Sequence, residues 1–506
     1  MKNLRKASLQ LLGMAAALTA ILGIFSCRVT PTDTTQYDTD IVALTDNNVL
    51  LKLNASDPSQ TNRRIQIVGL ATDEKVLAID FRPATGQLYG VSNLSKVYVI
   101  HADSGTARAI GAAPFTPALN GTIVGLDFNP TVDRIRLTTN TGQNLRLNPE
   151  TGAVAATDAA LNPSTPSVSE VAYTNNFAGT TTTTLYDIDV TTDKLYVQNP
   201  PNNGTLVEVG DLGVNAEGAA GFDITDNNLA YSILKVAGKS RLYVVNLATG
   251  RVLNVGNTEI NANIIGLSVP TTPVAYAVDA MNNLLIFNPF DPKPIAKTIT
   301  GLSADEGILG LDMRPANGQL YALGSSSRLY TINMSSGAAT AVGTAAFTTA
   351  LTGTRFGFDF NPTVDRIRIV SNTGQNLRAH PETGVIAAVD AAINPTGSAV
   401  SAAAYTNNFA GATTTTLYVI DAQNKGLFIQ SPPNNGTLTA VGSPFSAPFS
   451  SDNGFDISSK GNRAFVLLDN AGDVRLYDLN LMTAALTKGV AFPRPNITGF
   501  TLGLGF

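Results

Sequence analysis

Short stretches in which apolar and polar residues alternate recur along most of the chain, and glycine, asparagine, threonine and proline separate them. The segment VLAIDFRP at 76–83 is followed by QLYGVSN at 87–93 and SKVYVIHADSG at 95–105. Runs in which apolar and polar residues alternate, bounded by turn-forming residues, are typical of β-strands. The period of apolar residues expected of a helix is nearly absent after residue 27. The pattern therefore predicts an all-β protein.

The chain contains two copies of one long unit. The segments DFNPTVDRIR, NTGQNLR, YTNNFAG and PPNNGTL begin at positions 127, 140, 173 and 200, and each occurs again 232 positions later. Because the displacement is constant, no insertion separates the copies over this stretch. The sequence therefore predicts a tandem duplication, with a first unit at 41–270 and a second unit at 271–506.

Each unit divides into modules of about 45 residues with four short strands, which is the size of one blade of a β-propeller. The first unit begins with three strands within 41–69 and ends with one strand, IIGLSV at 264–269. One strand and three strands make a fifth blade, which would close a ring and remove its sheet edges. These ends favour two five-bladed β-propellers, and one ten-bladed propeller is the alternative.

The N-terminal residues predict export. Three cationic residues within 1–6 precede an apolar stretch at 7–25, a pattern typical of a secretory signal peptide. The segment before Cys27, which is the only cysteine, is similar to a bacterial lipobox and predicts a lipoprotein-type signal peptide at 1–27 with lipidation of Cys27. An ordinary signal peptide or an uncleaved anchor is the alternative. The polar segment 28–40 predicts a tether.

Composition narrows the possible chemistry. Charged residues make up 14% of the chain and the net charge is −5, so there is no basic footprint for nucleic acid. The chain has only two histidines and one cysteine. These are too few to favour catalysis by histidine or cysteine, or a zinc site built from these residues. No phosphate-binding loop or nucleophile elbow is present in the sequence. We therefore expect no cofactor, no metal centre and no nucleic-acid partner.

Aspartates recur at one position in the innermost strand of the predicted blades. They are Asp80, Asp127 and Asp223 in the first unit and Asp312, Asp359 and Asp456 in the second, with Thr174, Ser268 and Thr406 aligned to the same position. Buried carboxylates require compensation, which backbone N–H groups or arginines would supply. A ring of carboxylates would alternatively bind a hard cation or a polyol. Repetition in every blade favours the structural interpretation, and the aspartates stay candidate ligand-binding residues.

The segment DRIR offers a second candidate. Alternation along a strand places Arg134 and Arg136 on one face. An ion pair inside the blade, with Asp127 or Asp133 as the partner, competes with an anion clamp that would use both arginines. The ion pair is the favoured interpretation.

The YTNNFAG segments offer a third candidate. Asn175 and Asn176, and Asn407 and Asn408 in the second unit, stand beside aromatic residues. Amide groups next to aromatic rings would bind sugar hydroxyls. The favoured alternative is that these asparagines hold a turn, because asparagine tolerates left-handed backbone geometry.

At FDFNPTVDRIR, TNTGQNLR and YTNNFAGATTTTLY the chain resembles a bacterial domain-of-unknown-function family of secreted, propeller-like repeats. The resemblance covers both units, and it implies an exported β-propeller-type domain. It implies no reaction and no catalytic residues.

Together these features predict an exported protein of the bacterial cell envelope, lipid-anchored at the outer membrane or cell surface, or otherwise secreted. We expect a non-catalytic binding or interaction module whose partner is a protein or a carbohydrate at the cell surface. The alternative is a carbohydrate-acting hydrolase that uses the repeated aspartates, since the separation of paired carboxylates is set by the fold.

Overall fold

A computed structural model of the protein describes residues 37–61, 63–163, 167–218, 221–256, 259–450 and 453–506. The predicted signal peptide, Cys27 and most of the predicted tether lie outside these residues. Across the described ranges, no helix combines the length and the apolar character needed to cross a membrane.

The prediction of an all-β protein is confirmed, because the described residues form strands joined by turns, with two short 3₁₀ turns at Pro201–Asn203 and Pro433–Asn435. The strands of the first half are β1 (Asp40–Thr45), β2 (Val49–Asn54), β3 (Arg63–Gln66), β4 (Val76–Phe81), β5 (Leu88–Ser92), β6 (Val97–Ile100), β7 (Ala107–Ile110), β8 (Val124–Asn129), β9 (Arg134–Thr139), β10 (Asn144–Leu147), β11 (Val154–Thr157), β12 (Val168–Tyr173), β13 (Leu185–Asp189), β14 (Lys194–Gln198), β15 (Leu206–Asp211), β16 (Gly221–Ile224), β17 (Ala230–Val236), β18 (Lys239–Val245), β19 (Val252–Asn254) and β20 (Ile264–Ser268).

The strands of the second half are β21 (Ala275–Asp279), β22 (Asn283–Asn288), β23 (Asp291–Thr298), β24 (Ile308–Met313), β25 (Leu320–Gly324), β26 (Arg328–Ile332), β27 (Ala339–Val342), β28 (Phe356–Asn361), β29 (Arg366–Ser371), β30 (Asn376–Ala379), β31 (Ile386–Val389), β32 (Val400–Tyr405), β33 (Leu417–Asp421), β34 (Gly426–Gln430), β35 (Leu438–Val441), β36 (Asn453–Ile457), β37 (Ala464–Asn470), β38 (Asp473–Leu479), β39 (Leu486–Ala491) and β40 (Ile497–Leu502).

These strands form ten four-stranded antiparallel sheets in two sets of five. Most sheets contain four consecutive strands, as in the order β4-β5-β6-β7. Two sheets instead combine strands from both ends of a set, in the orders β20-β1-β2-β3 and β23-β22-β21-β40. Because β20 pairs with β1 and β40 pairs with β21, the sheets form two sets of five and not one set of ten.

One edge strand of each sheet lies against the equivalent strands of two other sheets. In the first set β20 contacts β4, β4 contacts β8, β8 contacts β12, β12 contacts β16, and β16 contacts β20. The second set has the same contacts among β24, β28, β32, β36 and β40. We call these ten strands the inner strands.

The residue pattern explains why the inner strands are buried and the outermost strands are not. Strand β8 reads VGLDFN and is covered on both faces, whereas β11 reads VAAT and exposes every second residue. The apolar core lies between the faces of neighbouring sheets, where Val91 and Val97 of one sheet pack with Leu126 and Leu137 of the next. A strand covered on both faces needs apolar or small residues at nearly every position.

A buried ion pair links two neighbouring sheets of the first set. Arg82, directly after β4, donates from Nε to Oδ1 of Asp133 at 2.8 Å and from Nη2 to Oδ2 at 2.5 Å. Arg314 and Asp365 form the equivalent pair in the second set at 2.9 and 2.5 Å. The side chain of Arg82 is 0% exposed and that of Arg314 is 10% exposed.

The two sets contact each other at the turn that follows β4. The N–H of Gly505 donates to the carbonyl oxygen of Thr85 at 2.9 Å. A Cβ atom at Gly505 would collide with the backbone of Gly86, so this close approach requires glycine. Arg82 also donates from Nη1 to the carbonyl oxygen of Gly318 at 3.4 Å. The second set therefore helps to bury Arg82.

We expect Arg82→Ala to lower the free energy of unfolding by about 3–5 kcal/mol, because it leaves the buried Asp133 carboxylate without its cation. The matched change Arg314→Ala should cost less, since its partner Asp365 is 38% exposed against 6% for Asp133. Chemical denaturation of both variants at neutral pH measures the difference. Equal losses would contradict the role assigned to burial.

Candidate functional site

The candidate aspartates come together in two buried clusters. Asp80, Asp127 and Asp223 form the first aspartate cluster, and Asp312, Asp359 and Asp456 form the second. Within each cluster, one carboxylate oxygen per residue lies within 4.8 Å of the others. All six residues are 1% exposed. A polymeric ligand therefore cannot contact these carboxylates.

Each clustered aspartate accepts a hydrogen bond from a backbone N–H on another inner strand or directly after it. In the first cluster the donors are the N–H of Phe128 for Asp80 at 2.9 Å, of Tyr173 for Asp127 at 3.2 Å, and of Val269 for Asp223 at 2.6 Å. In the second cluster they are the N–H of Phe360 for Asp312 at 2.7 Å, of Tyr405 for Asp359 at 3.0 Å, and of Leu502 for Asp456 at 2.7 Å. The aspartates thus connect the inner strands to one another.

A hydroxyl group completes each cluster. Ser268 Oγ lies 2.8 Å from Asp80 Oδ1 and 3.3 Å from Asp223 Oδ2. Thr501 Oγ1 takes the same place between Asp312 and Asp456, at 2.9 and 3.0 Å. Sequence reasoning identified Ser268 and missed Thr501, although an alignment of ITGFTLGLG with the end of the first unit would have found it.

The alignment of the third inner strand was wrong by two residues. Tyr173 donates to Asp127 as Phe128 donates to Asp80, so the residue equivalent to the aspartates is Ala172 and not Thr174. In the second set the equivalent residue is Ala404 and not Thr406, for the same reason. Thr174 and Thr406 come directly after β12 and β32, so the polar residue that was aligned with the aspartates lies beyond the end of each strand. One inner strand in each set therefore contributes no polar side chain at this position.

Burial raises the pKa of the clustered aspartates. At Asp80 and Asp127 the pKa lies well above the ordinary value, first because of burial and then because neighbouring carboxylates repel the charge. Burial raises the pKa of Asp223 to about 7, although two backbone N–H groups lower it again in part. Among the described side chains, no lysine or arginine forms an ion pair with either cluster. Compensation must therefore come from the backbone and from protons or a cation.

The prediction that the DRIR arginines pair with Asp127 or Asp133 is wrong. Arg136 donates from Nη1 to Asp158 at 2.6 Å and to Asn144 at 2.7 Å, and from Nη2 to Asn202 at 2.8 Å. Arg134 donates to the carbonyl oxygen of its neighbour Asp133, whose carboxylate binds Arg82. The donors of Arg136 are occupied, so it is not an anion clamp. Asn144 of the segment NTGQNLR and Asn202 of the segment PPNNGTL therefore both accept hydrogen bonds from Arg136.

The asparagines of YTNNFAG occupy two different environments. Asn175 and Asn407 have φ values of 54° and 56°. The N–H of Asn175 donates to Asn228 Oδ1 at 2.7 Å, and its Nδ2 donates to the carbonyl oxygen of Thr182 at 2.9 Å. The N–H of Asn407 makes the equivalent bond to Asn462 at 2.7 Å. This geometry agrees with the turn interpretation for these two residues.

Asn176 borders a polar cavity of about 160 Å³ at one end of the first set. Thr225, Asp226, Asn227, Thr271 and Thr272 also line the cavity. In the described part of the chain, neither Asn176 Oδ1 nor Thr271 Oγ1 has a hydrogen-bond partner, although both atoms are buried. Asp226 and Thr271 had no motif to mark them in the sequence.

The equivalent place in the second set is filled by the chain itself. Ser459, at the position of Asp226, donates its hydroxyl to the carbonyl oxygen of Leu504 at 2.6 Å. The N–H of Lys460 donates to the carbonyl oxygen of Phe506 at 3.1 Å. Asn408 is buried there with its Oδ1 free of hydrogen-bond partners among the residues described. The polar cavity is thus a feature of the first set, whereas the asparagine is common to both.

The family described as a domain of unknown function, DUF4394, matches residues 49–268 and again residues 283–501. The chain belongs to this family. It carries two DUF4394 copies in tandem, one for each set of sheets, which confirms the resemblance indicated by the motifs. No curated protein sequence is detectably similar to the chain.

Three solved structures are similar at low identity. The extracellular domain of BT4673 from B. thetaiotaomicron is 13% identical, with 92% of this chain and 74% of that chain covered and a TM-score of 0.26. A Lactobacillus plantarum protein is 14% identical over 63% of this chain and 94% of its own, with a TM-score of 0.29. PorZ, a surface component of the type-IX secretion system of Porphyromonas gingivalis, is 14% identical over 90% and 58%, with a TM-score of 0.26. These similarities carry no functional conclusion.

The two DUF4394 copies differ at a buried acidic residue of β13. Asp187 is 0% exposed, and neither of its carboxylate oxygens has a hydrogen-bond partner among the described residues. Burial raises its pKa well above the ordinary value, and nearby Arg136 offsets this only in part. The second copy has Val419 at this position, within an apolar cluster. A comparison of the two copies was the signal that would have singled out Asp187.

We expect Asp187→Val to raise the free energy of unfolding at pH 7 by about 1–3 kcal/mol, because it removes a buried polar group without partners. The raised pKa keeps the folded carboxyl neutral while the unfolded one ionises above about pH 4, so the native residue costs stability as pH rises from that point. The gain should therefore be smaller at pH 4 than at pH 7. Denaturation curves at both pH values measure it, and a gain that does not grow with pH would contradict the expectation.

Proposed function

We propose that the protein is an exported, lipid-anchored and non-catalytic binding protein built from two five-bladed β-propellers, and that the first propeller binds a small polyhydroxylated ligand such as a sugar. The polar cavity beside Asn176 is the observation that carries the functional part of this proposal. The two propellers of this proposal correspond to the units predicted from the sequence, 41–270 and 271–506.

The contacts among inner strands support the propeller arrangement. In each set every inner strand contacts two others, and the first and last strands of the set pair in one sheet. In the second set, residues from all five inner strands line one cavity of about 20 Å³. The blades of a propeller surround a common space with their inner edge strands, so these contacts support the proposed arrangement.

The chemistry of the cavity supports a ligand with hydroxyl groups. Asn176 Oδ1 and Thr271 Oγ1 are buried acceptors, and no donor for either lies among the described residues. Buried polar atoms are nearly always hydrogen-bonded, so a bound donor would satisfy both. Asp226 and Asn227 add a carboxylate and an amide to the lining. A cavity of this size suits one sugar residue and not a protein surface.

The environment of the aspartates speaks against the hydrolase alternative. A retaining or inverting glycosidase needs two carboxyl groups that reach the glycosidic bond. The clustered aspartates are 1% exposed, and each accepts a backbone N–H from another inner strand. These carboxylates hold strands together, so the polar cavity is the better candidate for ligand binding.

We expect a saccharide that binds this cavity to raise the melting temperature of the full chain, since a ligand present at 100 times its Kd stabilises the native state by about 2.7 kcal/mol. Asn176→Ala should abolish the shift. The matched variant Asn408→Ala changes the equivalent residue of the second copy and should keep it. A thermal-shift series with neutral mono- and disaccharides, confirmed by calorimetry, is the measurement. The absence of any shift, or equal behaviour of the two variants, would contradict the proposal.

The lipid anchor rests on the N-terminal sequence, in which an apolar stretch at 7–25 precedes Cys27. Acyl chains attached there would hold the protein at a membrane, because each buried methylene contributes about 0.8 kcal/mol. We expect the native chain in the membrane fraction of bacterial cells and Cys27→Ala mostly in the soluble fraction. Fractionation with radiolabelled palmitate is the measurement, and the same distribution with and without Cys27 would refute lipidation.

A further inference from the structure

One inner-strand position is occupied by small residues almost everywhere. It lies two residues before the cluster position and is taken by Ala78, Gly125, Gly221 and Gly266 in the first set and by Gly310, Gly357, Ala402, Gly454 and Gly499 in the second. The tenth position, on β12, is Glu170. The equivalent residue of the second copy is Ala402. The first copy thus places a carboxylate where every other inner strand has no side chain or a methyl group.

Small residues at this position let the inner strands pass close to one another. A Cβ atom at Gly125 would lie 3.0 Å from the Cα atom of Glu170, so the two inner strands pass very close there. In the second set residues at this position, Gly310 and Ala402 among them, help to line a cavity of about 20 Å³. Glu170 is 3% exposed, so its carboxylate lies inside the first set between the inner strands.

Glu170 lies two residues before the cluster position of β12, and side chains two residues apart on a strand point to the same side. Glu170 Oε1 is buried and has no hydrogen-bond partner in the described ranges. Among the described ion pairs, none involves Glu170 or the cluster. The first set therefore holds three clustered aspartates and a fourth buried carboxylate on the same side of β12, and no described lysine or arginine forms an ion pair with any of them.

We propose that the first DUF4394 copy binds one hard divalent cation, for which Ca²⁺ is the best candidate, through Asp80, Asp127, Asp223 and Glu170. This assignment goes beyond the proposed function, because the cation site and the polar cavity are formed by different residues. It also revises the expectation from sequence that the protein has no metal centre, for the first copy alone.

The geometry of the cluster suits calcium. Ca²⁺ takes oxygen ligands at about 2.3–2.6 Å, so two ligands on opposite sides of the ion lie nearly 5 Å apart. The three aspartate oxygens lie within 4.8 Å of one another. Each carboxylate has about four lone-pair sites, so an aspartate that accepts backbone N–H bonds can still bind an ion. The second cluster lacks the fourth carboxylate, and we infer that protons neutralise it instead.

The test is equilibrium dialysis of the full chain against about 1 mM free Ca²⁺, the range in which extracellular sites bind, followed by elemental analysis. We expect one Ca²⁺ per chain. Glu170→Ala copies the residue at Ala402 and should fold, as the second copy does, while its Ca²⁺ affinity falls at least tenfold. A melting curve without Ca²⁺ checks the fold, and Glu170→Gln, which keeps the shape and removes the charge, should also bind more weakly.

The matched variant Ala402→Glu places the fourth carboxylate in the second copy. A second Ca²⁺ per chain in this variant would support the proposal. No bound Ca²⁺ in the native chain would overturn it, and so would bound Ca²⁺ that folded Glu170→Ala retains with unchanged affinity. Saccharide binding at the Asn176 cavity is measured separately, so failure of one proposal does not imply failure of the other.

Discussion

The hydrogen bonds from inner-strand N–H groups to buried aspartates are the contacts on which both sets depend. An inner strand is a sheet edge, and its outward N–H groups need acceptors once they are buried. Asp80, Asp127 and Asp223 supply these acceptors from the neighbouring strands. The same bonds place three carboxylates within one small space. The arrangement that satisfies the buried N–H groups therefore also brings together carboxylates whose negative charges repel one another.

Much of the fold was predictable because it depends on local pattern and on repetition. Alternating strands, the constant displacement of the copies and the complementary ends predicted two sets of five sheets, and the pairing of β20 with β1 agrees. The partners of Arg136 were not predictable, since Asp158 and Asn202 reach it through the three-dimensional arrangement of separate motifs. Thr174 was aligned in place of Ala172 because it is polar like the aspartates, although β12 ends before it at Tyr173.

The candidate site was predictable only in part. The repeated aspartates were visible as a pattern, and the structure brings them together. Glu170 and Asp187 were overlooked because repetition was used as the guide, and both residues are departures from it. In a duplicated chain, positions shared by the copies hold the scaffold together, whereas positions that differ are those at which one copy is free to acquire a separate chemistry.

In each set the first strand pairs with the last one. During synthesis, which proceeds from the N-terminus, a set can therefore be completed only after its last strand has been made. The first set has all its strands once Ser268 is available, while the second must wait for β40, which ends at Leu502. Until then β21 keeps an unpaired edge, which is a site for mistaken strand addition. A completed first set next to it offers the surface around Thr85, on which the segment after β40 finally docks. The first set can therefore be complete before the last strand of the second set has been made.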